Sequence, residues 1–196
     1  PVVQDGSAWV PFTVSTMISS EIATPGSYPF YCQNHGGPGG TGMSGVITVQ
    51  AAPITVFINE IHYDNDGPDT NEGIEIAGPA GTDLSCYELL FYNGADSLQD
   101  PSLTLTGTIP DQMCGYGTVW FAKTGIQNGP RDAVGLLNTC SSTVIQFLSW
   151  EGEMEALDGP AMGMTSVDIG VSEPGCVGHS LQLIGTGTEY PDFTWN

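Results

Sequence analysis

The chain has 196 residues and a mass of 20.6 kDa, enough for one medium β domain, or a small domain with part of another, and too short for two large catalytic domains. Lys and Arg total 2 against 22 Asp and Glu, a formal charge of −20, so a nucleic-acid backbone or an anionic membrane surface would be repelled. Apolar residues make up 40% of the sequence and mean hydropathy is near zero, which allows a packed core and excludes global disorder.

With 27 Gly and 14 Pro, turn signals recur every few residues, and no stretch of ~15 residues reads as uninterrupted helix. The expectation is an all-β chain. The longest apolar stretch, 46–61, is interrupted by Gln50, Pro53, Asn59 and Glu60, well short of the ~20 residues of a spanning helix. The sequence opens on Pro1 with no basic or apolar leader, so the reading is a chain that starts within a longer precursor or at a processing site, its signal peptide already removed.

Residues 1–52 hold only two acidic groups, Asp5 and Glu21, whereas the remaining acidic residues and both basic ones, Lys123 and Arg131, lie beyond them. A boundary near Ala51-Ala52-Pro53 follows, dividing 1–52 from 53–196. Two strand-like runs, 45–50 and 54–58, flank that joint, and Pro53 cannot donate a ladder hydrogen bond.

Within the first part, Cys32, His35 and Met43 fall on one Gly-rich loop between strand-like runs. Thiolate, imidazole and thioether together are what copper prefers in a trigonal His₂Cys site with a weak axial Met. The text Pro25-Gly-Ser-Tyr-Pro-Phe-Tyr-Cys-x-x-His, followed by Met-x-Gly-x-Ile-x-Val, resembles the C-terminal ligand hairpin of plastocyanin-like and azurin-like cupredoxins over about residues 8–50. The resemblance implies the end of a Greek-key barrel, with Cys32 and His35 as equatorial ligands and Met43 as the axial one. Two departures accompany it: seven residues separate His35 from Met43, and no histidine precedes His35. Either a preceding segment or another chain completes the barrel and the copper site, or the motif is a fold remnant without metal.

In the second part, residues 54–63, 73–77, 87–92, 103–106, 118–122, 133–137, 144–150, 180–184 and 193–195 read as short strands. They are separated by turn clusters such as Asp64-Asn-Asp-Gly-Pro-Asp, Tyr92-Asn-Gly-Ala-Asp and Gln127-Asn-Gly-Pro. That spacing predicts a β sandwich. The stretches Val56-Phe-Ile-Asn-Glu-Ile-His-Tyr-Asp-Asn-Asp-Gly, Glu72-Gly-Ile-Glu-Ile-Ala-Gly-Pro, Tyr87-Glu-Leu-Leu-Phe-Tyr-Asn-Gly and Val144-Ile-Gln-Phe-Leu-Ser-Trp-Glu-Gly are similar to the lamin-tail domain, in the form found in secreted, often marine, proteins. The resemblance implies an immunoglobulin-like sandwich used for attachment or binding, with no shared catalytic residues.

Four cysteines, Cys86, Cys114, Cys140 and Cys176, predict two disulfides in an oxidising, extracellular compartment, with three connectivities open. Asp64, Asp66, Asp69 and Glu72 concentrate hard oxygens of the kind calcium takes, the alternative being a solvated acidic turn. Alternation places Glu151, Glu153 and Glu155 on one face of an extended segment, where seawater-level salt would screen them within about 3–5 Å. His62 reads as a satisfied core or edge histidine, and Trp120, Trp150 and Trp195 as core aromatics. No G-x-S-x-G, H-E-x-x-H or phosphate loop occurs, and His179 and Ser180, as neighbours on a strand, would face opposite ways.

The functional expectation is a non-enzymatic extracellular structural or interaction module of a larger assembly, with a possible copper half-site completed by a protein partner. The alternatives are a blue-copper electron carrier whose missing histidine lies elsewhere, and an accessory region of a secreted nuclease or phosphatase.

Overall fold

The computed structural model describes residues 26–37, 41–49 and 55–196. The chain divides into two compact units, Pro1–Ala52 and Pro53–Asn196, and among the described residues strands account for nearly all regular structure.

In the first unit, β1 (Gly26–Gly37) and β2 (Thr41–Val49) form an antiparallel hairpin. Tyr31 pairs with Ser44, and the next pair is Gly36 with Gly42. The register shift therefore sets residues 32–35 against the single residue Met43, a larger irregularity than the common two-against-one bulge. Cys32 and His35 thus lie within β1 and Met43 within β2, which corrects their expected placement in a loop. Gly-rich sequence suggested a turn, but two strands pair on both sides of the irregularity.

The second unit is an all-β sandwich. One five-stranded sheet has the order β10 (Val167–Asp168), β9 (Thr143–Ser149), β8 (Ala133–Asn138), β5 (Tyr87–Asn93), β6 (Leu98–Thr104). The other has the order β12 (Phe193–Trp195), β11 (Leu181–Gly185), β3 (Phe57–His62), β4 (Gly73–Pro79), β7 (Tyr116–Ala122). Alternation in β4 buries Ile74 and Ile76 completely and leaves Glu75 half-buried. These isoleucines meet Leu89 and Phe91 of β5, Val134 and Leu136 of β8 and Leu148 of β9 in one core, where each fully buried Ile or Leu contributes about 1.5–3 kcal/mol. Tyr63 stacks on Trp150 in the same core, ring centroids 4.4 Å apart.

β8 departs from alternation because it is covered on both faces. Residues Met154, Ala156 and Ala161 fold over the outer side of its sheet and pack on Leu90, Tyr92, Leu137 and Phe147. The Tyr92 hydroxyl fixes that cover, accepting from the Ala161 N–H at 3.1 Å and donating to the Asp158 carbonyl at 3.2 Å. Burial of Met154 and Ala156 leaves Glu151, Glu153 and Glu155 exposed.

Between the sheets, Gln146 of β9 reaches across to β3, where its Oε1 accepts from the Ile58 N–H at 2.7 Å. This bond holds β3 at its bulge between Ile58 and Glu60. On the sheet edge, Pro101 interrupts β6 without ending it: Phe91 pairs with Asp100 and Leu89 with Leu103, so the proline sits at a bulge on an edge strand, where the lost N–H donor costs no ladder bond.

The expectation of two disulfides is corrected. Cys86 and Cys140 are joined, with Cα atoms 5.4 Å apart, whereas Cys114 and Cys176 are free and exposed. Cys114 lies beside Tyr116, which pairs with Pro79 at one end of β4. Cys176 follows Gly175, whose carbonyl accepts from the Asp66 N–H beyond the other end. Seven residues of strand separate those ends by about 20 Å, well beyond the ~7 Å Cα limit for a bridge. Alkylation of the native protein followed by peptide mapping is expected to modify Cys114 and Cys176 and to spare Cys86 and Cys140; protection of the first pair would contradict this assignment.

Candidate functional site

The end of β3 carries His62, Tyr63 and Asp64 into the acidic turn, and the segment before β11 returns Glu173 to them. The Glu173 carboxylate, its side chain 1% exposed, accepts from His62 Nδ1–H at 2.7 Å and from the backbone N–H groups of Tyr63 and Asp64 at 2.6 and 2.7 Å. Its own N–H donates to the Tyr63 hydroxyl at 2.8 Å, which burial keeps protonated by pushing its pKa up.

On the other side of the imidazole, Nε2 lies 3.0 Å from the Thr70 carbonyl. A carbonyl only accepts, so the bond to Thr70 draws on an Nε2–H, and with Nδ1–H donating to Glu173 these two contacts suit the doubly protonated ring. Asn65 is oriented by Thr70, whose N–H and hydroxyl donate to Oδ1 at 2.7 and 3.1 Å; its amide nitrogen lies 3.3 Å from Nε2. Burial works against the charged ring. The Glu173 hydrogen bond and charge, with Thr70 and Asn65, prevail and raise the His62 pKa above its ordinary 6.5. His62 is thus a satisfied buried histidine.

The acidic turn does not gather its four carboxylates. Glu72 is buried and accepts from the Gly125 and Ile126 N–H groups, both at 2.8 Å. Asp69 caps the turn through the Asn65 N–H at 3.0 Å, and Asp64 accepts from Asn128 Nδ2 at 3.4 Å. Asp66 is exposed. Sequence spacing put Glu72 beside the others, but the start of β4 turns it toward the loop after β7. Among the described residues no three His, Cys, Asp or Glu side chains converge as metal ligands. In the hairpin unit His35 is exposed and Met43 half-buried, and the Cys32 side chain lies outside the described residues.

Above the His62 cluster opens a cleft of about 410 Å³ lined by Glu60, His62, Asn71, Trp120, His179 and Ser180, among others. His179 and Ser180 precede β11, so the alternation of a strand does not separate them and both reach the cleft. The Ser180 hydroxyl donates to Glu60 Oε1 at 2.6 Å. Of the three tryptophans assigned to the core from sequence, Trp150 is fully buried and Trp195 packs against the core, but Trp120 is 39% exposed. Val119 and Phe121 take the inward positions of β7, which turns Trp120 outward. That alternation was the available signal.

Trp120 rests against Gly73. A Cβ at Gly73 would lie 2.5 Å from Trp120 Cζ2 and 2.5 Å from the Phe121 carbonyl oxygen. Gly73→Ala is expected to cost about 1–3 kcal/mol through overpacking and to shift the emission of Trp120, both readable in one fluorescence-monitored urea titration. An unchanged midpoint and spectrum would argue against this close packing.

No protein-family model, curated protein or solved structure matches the chain.

Proposed function

We propose that the chain is a non-enzymatic extracellular structural and interaction module of a larger assembly, a cupredoxin-like C-terminal portion joined to a lamin-tail-like sandwich. One observation carries this reading: the three buried carboxylates of the described sandwich and the buried His62 imidazole are all committed to its frame. Glu173 ties His62 and two backbone amides, Glu72 ties two more, and Asp132 accepts from the Gly94 and Gly129 N–H groups at 2.6 and 2.5 Å. Groups held this way fix loops to sheets and leave little to activate a nucleophile.

Strand order supports the sandwich part of the reading. β3, β4 and β7 pair as strands A, B and E do, and β6, β5, β8 and β9 as C′, C, F and G do, in an immunoglobulin-type sandwich. The test is hydrolysis by the purified chain of double-stranded DNA, p-nitrophenyl phosphate and p-nitrophenyl acetate, with and without added calcium or copper. Rates at the buffer background are expected; turnover that co-elutes with the chain would overturn the reading. An intact mass for the native polypeptide decides whether it serves as an accessory region of a secreted nuclease or phosphatase.

A blue-copper electron carrier is the second reading, favoured by the hairpin register that sets residues 32–35 opposite Met43. The donor set there fits in part, because residues 1–52 contain one histidine and a trigonal site needs two. The second imidazole would come from elsewhere. Bound copper would supply one-electron transfer, with Cys32 and His35 holding it. Under this reading copper addition to a longer chain that supplies the second imidazole gives an intense visible band near ~600 nm from the Cys–copper centre; a colourless titration of that longer chain rejects it.

A further inference from the structure

We propose that the cleft beside Trp120 binds a neutral saccharide, the indole packing against the apolar face of a sugar ring while Glu60, Asn71, His179 and Ser180 bond its hydroxyls. The proposal rests on the interaction-module reading and gives that module a ligand class.

Three observations point the same way. Trp120 is held in place while staying 39% exposed, because the missing Cβ of Gly73 lets its ring settle against β4 and the cross-strand pair with Glu75 fixes its strand. A large amphipathic ring immobilised in this way binds at low entropic cost. The surrounding groups mix donors and acceptors: Glu60 accepts, the Asn71 amide does both, and the Ser180 hydroxyl and His179 ring add further partners. Each sugar hydroxyl also does both. Finally, a cleft of about 410 Å³ lies in the ~300–1,000 Å³ range of small-ligand sites, large against a single ammonium headgroup.

Charge selects within this class. At −20 the chain repels sulfated, sialylated or uronic sugars. A cationic ligand would suit the indole face and the overall field, but it would leave the donors of Asn71 and His179 without an acceptor, which a sugar hydroxyl supplies. Uncharged hexoses and N-acetylhexosamines remain.

The experiment titrates the intact chain calorimetrically with neutral tetrasaccharides of glucose, galactose, mannose and N-acetylglucosamine. Sialyllactose, a sulfated galactan oligosaccharide and tetramethylammonium are run beside them, and Trp fluorescence is read in parallel. At least one neutral oligomer is expected to bind with a Kd of about 1 mM or tighter and to change Trp emission, with the charged probes at least about tenfold weaker. Trp120→Ala should lose about tenfold or more in affinity with an unchanged far-UV spectrum, and Trp120→Phe should recover part of it. Glu60→Gln and Asn71→Gly, both at the cleft wall, are to weaken binding while leaving the melting transition in place; glycine is chosen because Asn71 has a φ of 60°, which alanine disfavours. The proposal fails if no neutral sugar saturates, if binding survives Trp120→Ala, or if only tetramethylammonium binds. A sugar that is bound and then cleaved, seen as products by mass spectrometry, would keep the cleft and overturn the non-enzymatic reading instead.

Discussion

Glu173→Ala is expected to lower the free energy of unfolding by about 3–5 kcal/mol, the range found when one partner of a buried charged pair is removed. The mutation deletes one acceptor and orphans three donors: His62 Nδ1–H and the N–H groups of Tyr63 and Asp64. All lie where water does not readily replace the carboxylate, since His62 and Tyr63 are buried. Glu173→Gln keeps the shape and one acceptor oxygen, so its cost should be smaller, about 2 kcal/mol. Urea unfolding followed by Trp fluorescence measures both. A loss under ~1 kcal/mol for the alanine variant would mean that the segment around Glu173 contributes little to the fold.

The same pair makes a pH-dependent prediction. The folded-state pKa of His62 is raised, so the folded state holds its proton more tightly than the unfolded chain does. The associated stability is complete below the unfolded value of about 6.5 and is lost as pH rises through the folded value. The gap between wild type and Glu173→Gln should therefore be wider at about pH 5.5 than at about pH 8.5. It narrows without closing, because the Tyr63 and Asp64 N–H groups, which share one carboxylate oxygen, exchange a charged acceptor for a weaker neutral one at any pH. Subtracting one variant from the other cancels carboxylates common to both, including Asp132, whose pKa burial raises. A gap that does not change with pH would show that the ring is uncharged and that Asn65 rather than Thr70 faces Nε2.

Much of this architecture is written locally. The run Tyr87-Glu-Leu-Leu-Phe-Tyr-Asn and the Gly-Ala-Asp turn after it specify β5 and its hairpin without reference to the rest of the chain, and β4, β7, β8, β9, β11 and β12 lie close to their expected places. Where sequence fell short, the cause was tertiary. β10 is two exposed residues made strand only by parallel pairing with β9, which leaves no periodicity to read. β6 begins at Leu98 rather than 103 because an edge strand tolerates Pro101. The partner of Tyr63 and His62 lies more than a hundred residues away, so nothing near either residue announces Glu173. The acidic turn was legible as composition and misleading as a site, since a carboxylate facing a backbone N–H in another loop looks the same in sequence as one awaiting a cation. Trp120 was the avoidable error: strict alternation in β7 with Val119 and Phe121 inward already placed it on the outer face.

Breaking the Cys86–Cys140 bridge should cost about 4 kcal/mol. The two residues close a loop with a sequence separation of 54, and the chain-entropy relation at that length gives a value near the upper end of the ~2–4 kcal/mol usual for a disulfide. The bridge joins the start of β5 to the end of β8, where Tyr87 pairs with Asn138 and the Thr139 N–H donates to the Cys86 carbonyl at 2.8 Å. Those ladder contacts survive reduction, so the loss arises mainly from the greater freedom of the unfolded chain. For a unit of this size the melting temperature should fall by about 10 °C, read by calorimetry of Cys86→Ser/Cys140→Ser against wild type. Cys114→Ser and Cys176→Ser, at exposed free thiols, should stay within about 0.5 kcal/mol of wild type, which separates the bridge from thiol chemistry in general. A double-serine variant as stable as wild type would show that the unfolded chain is already restricted around this loop. A loss of the expected size is a large share of the ~5–15 kcal/mol that holds a domain folded, so under reducing conditions the sandwich would rest on its packing and on the buried carboxylates that tie its loops.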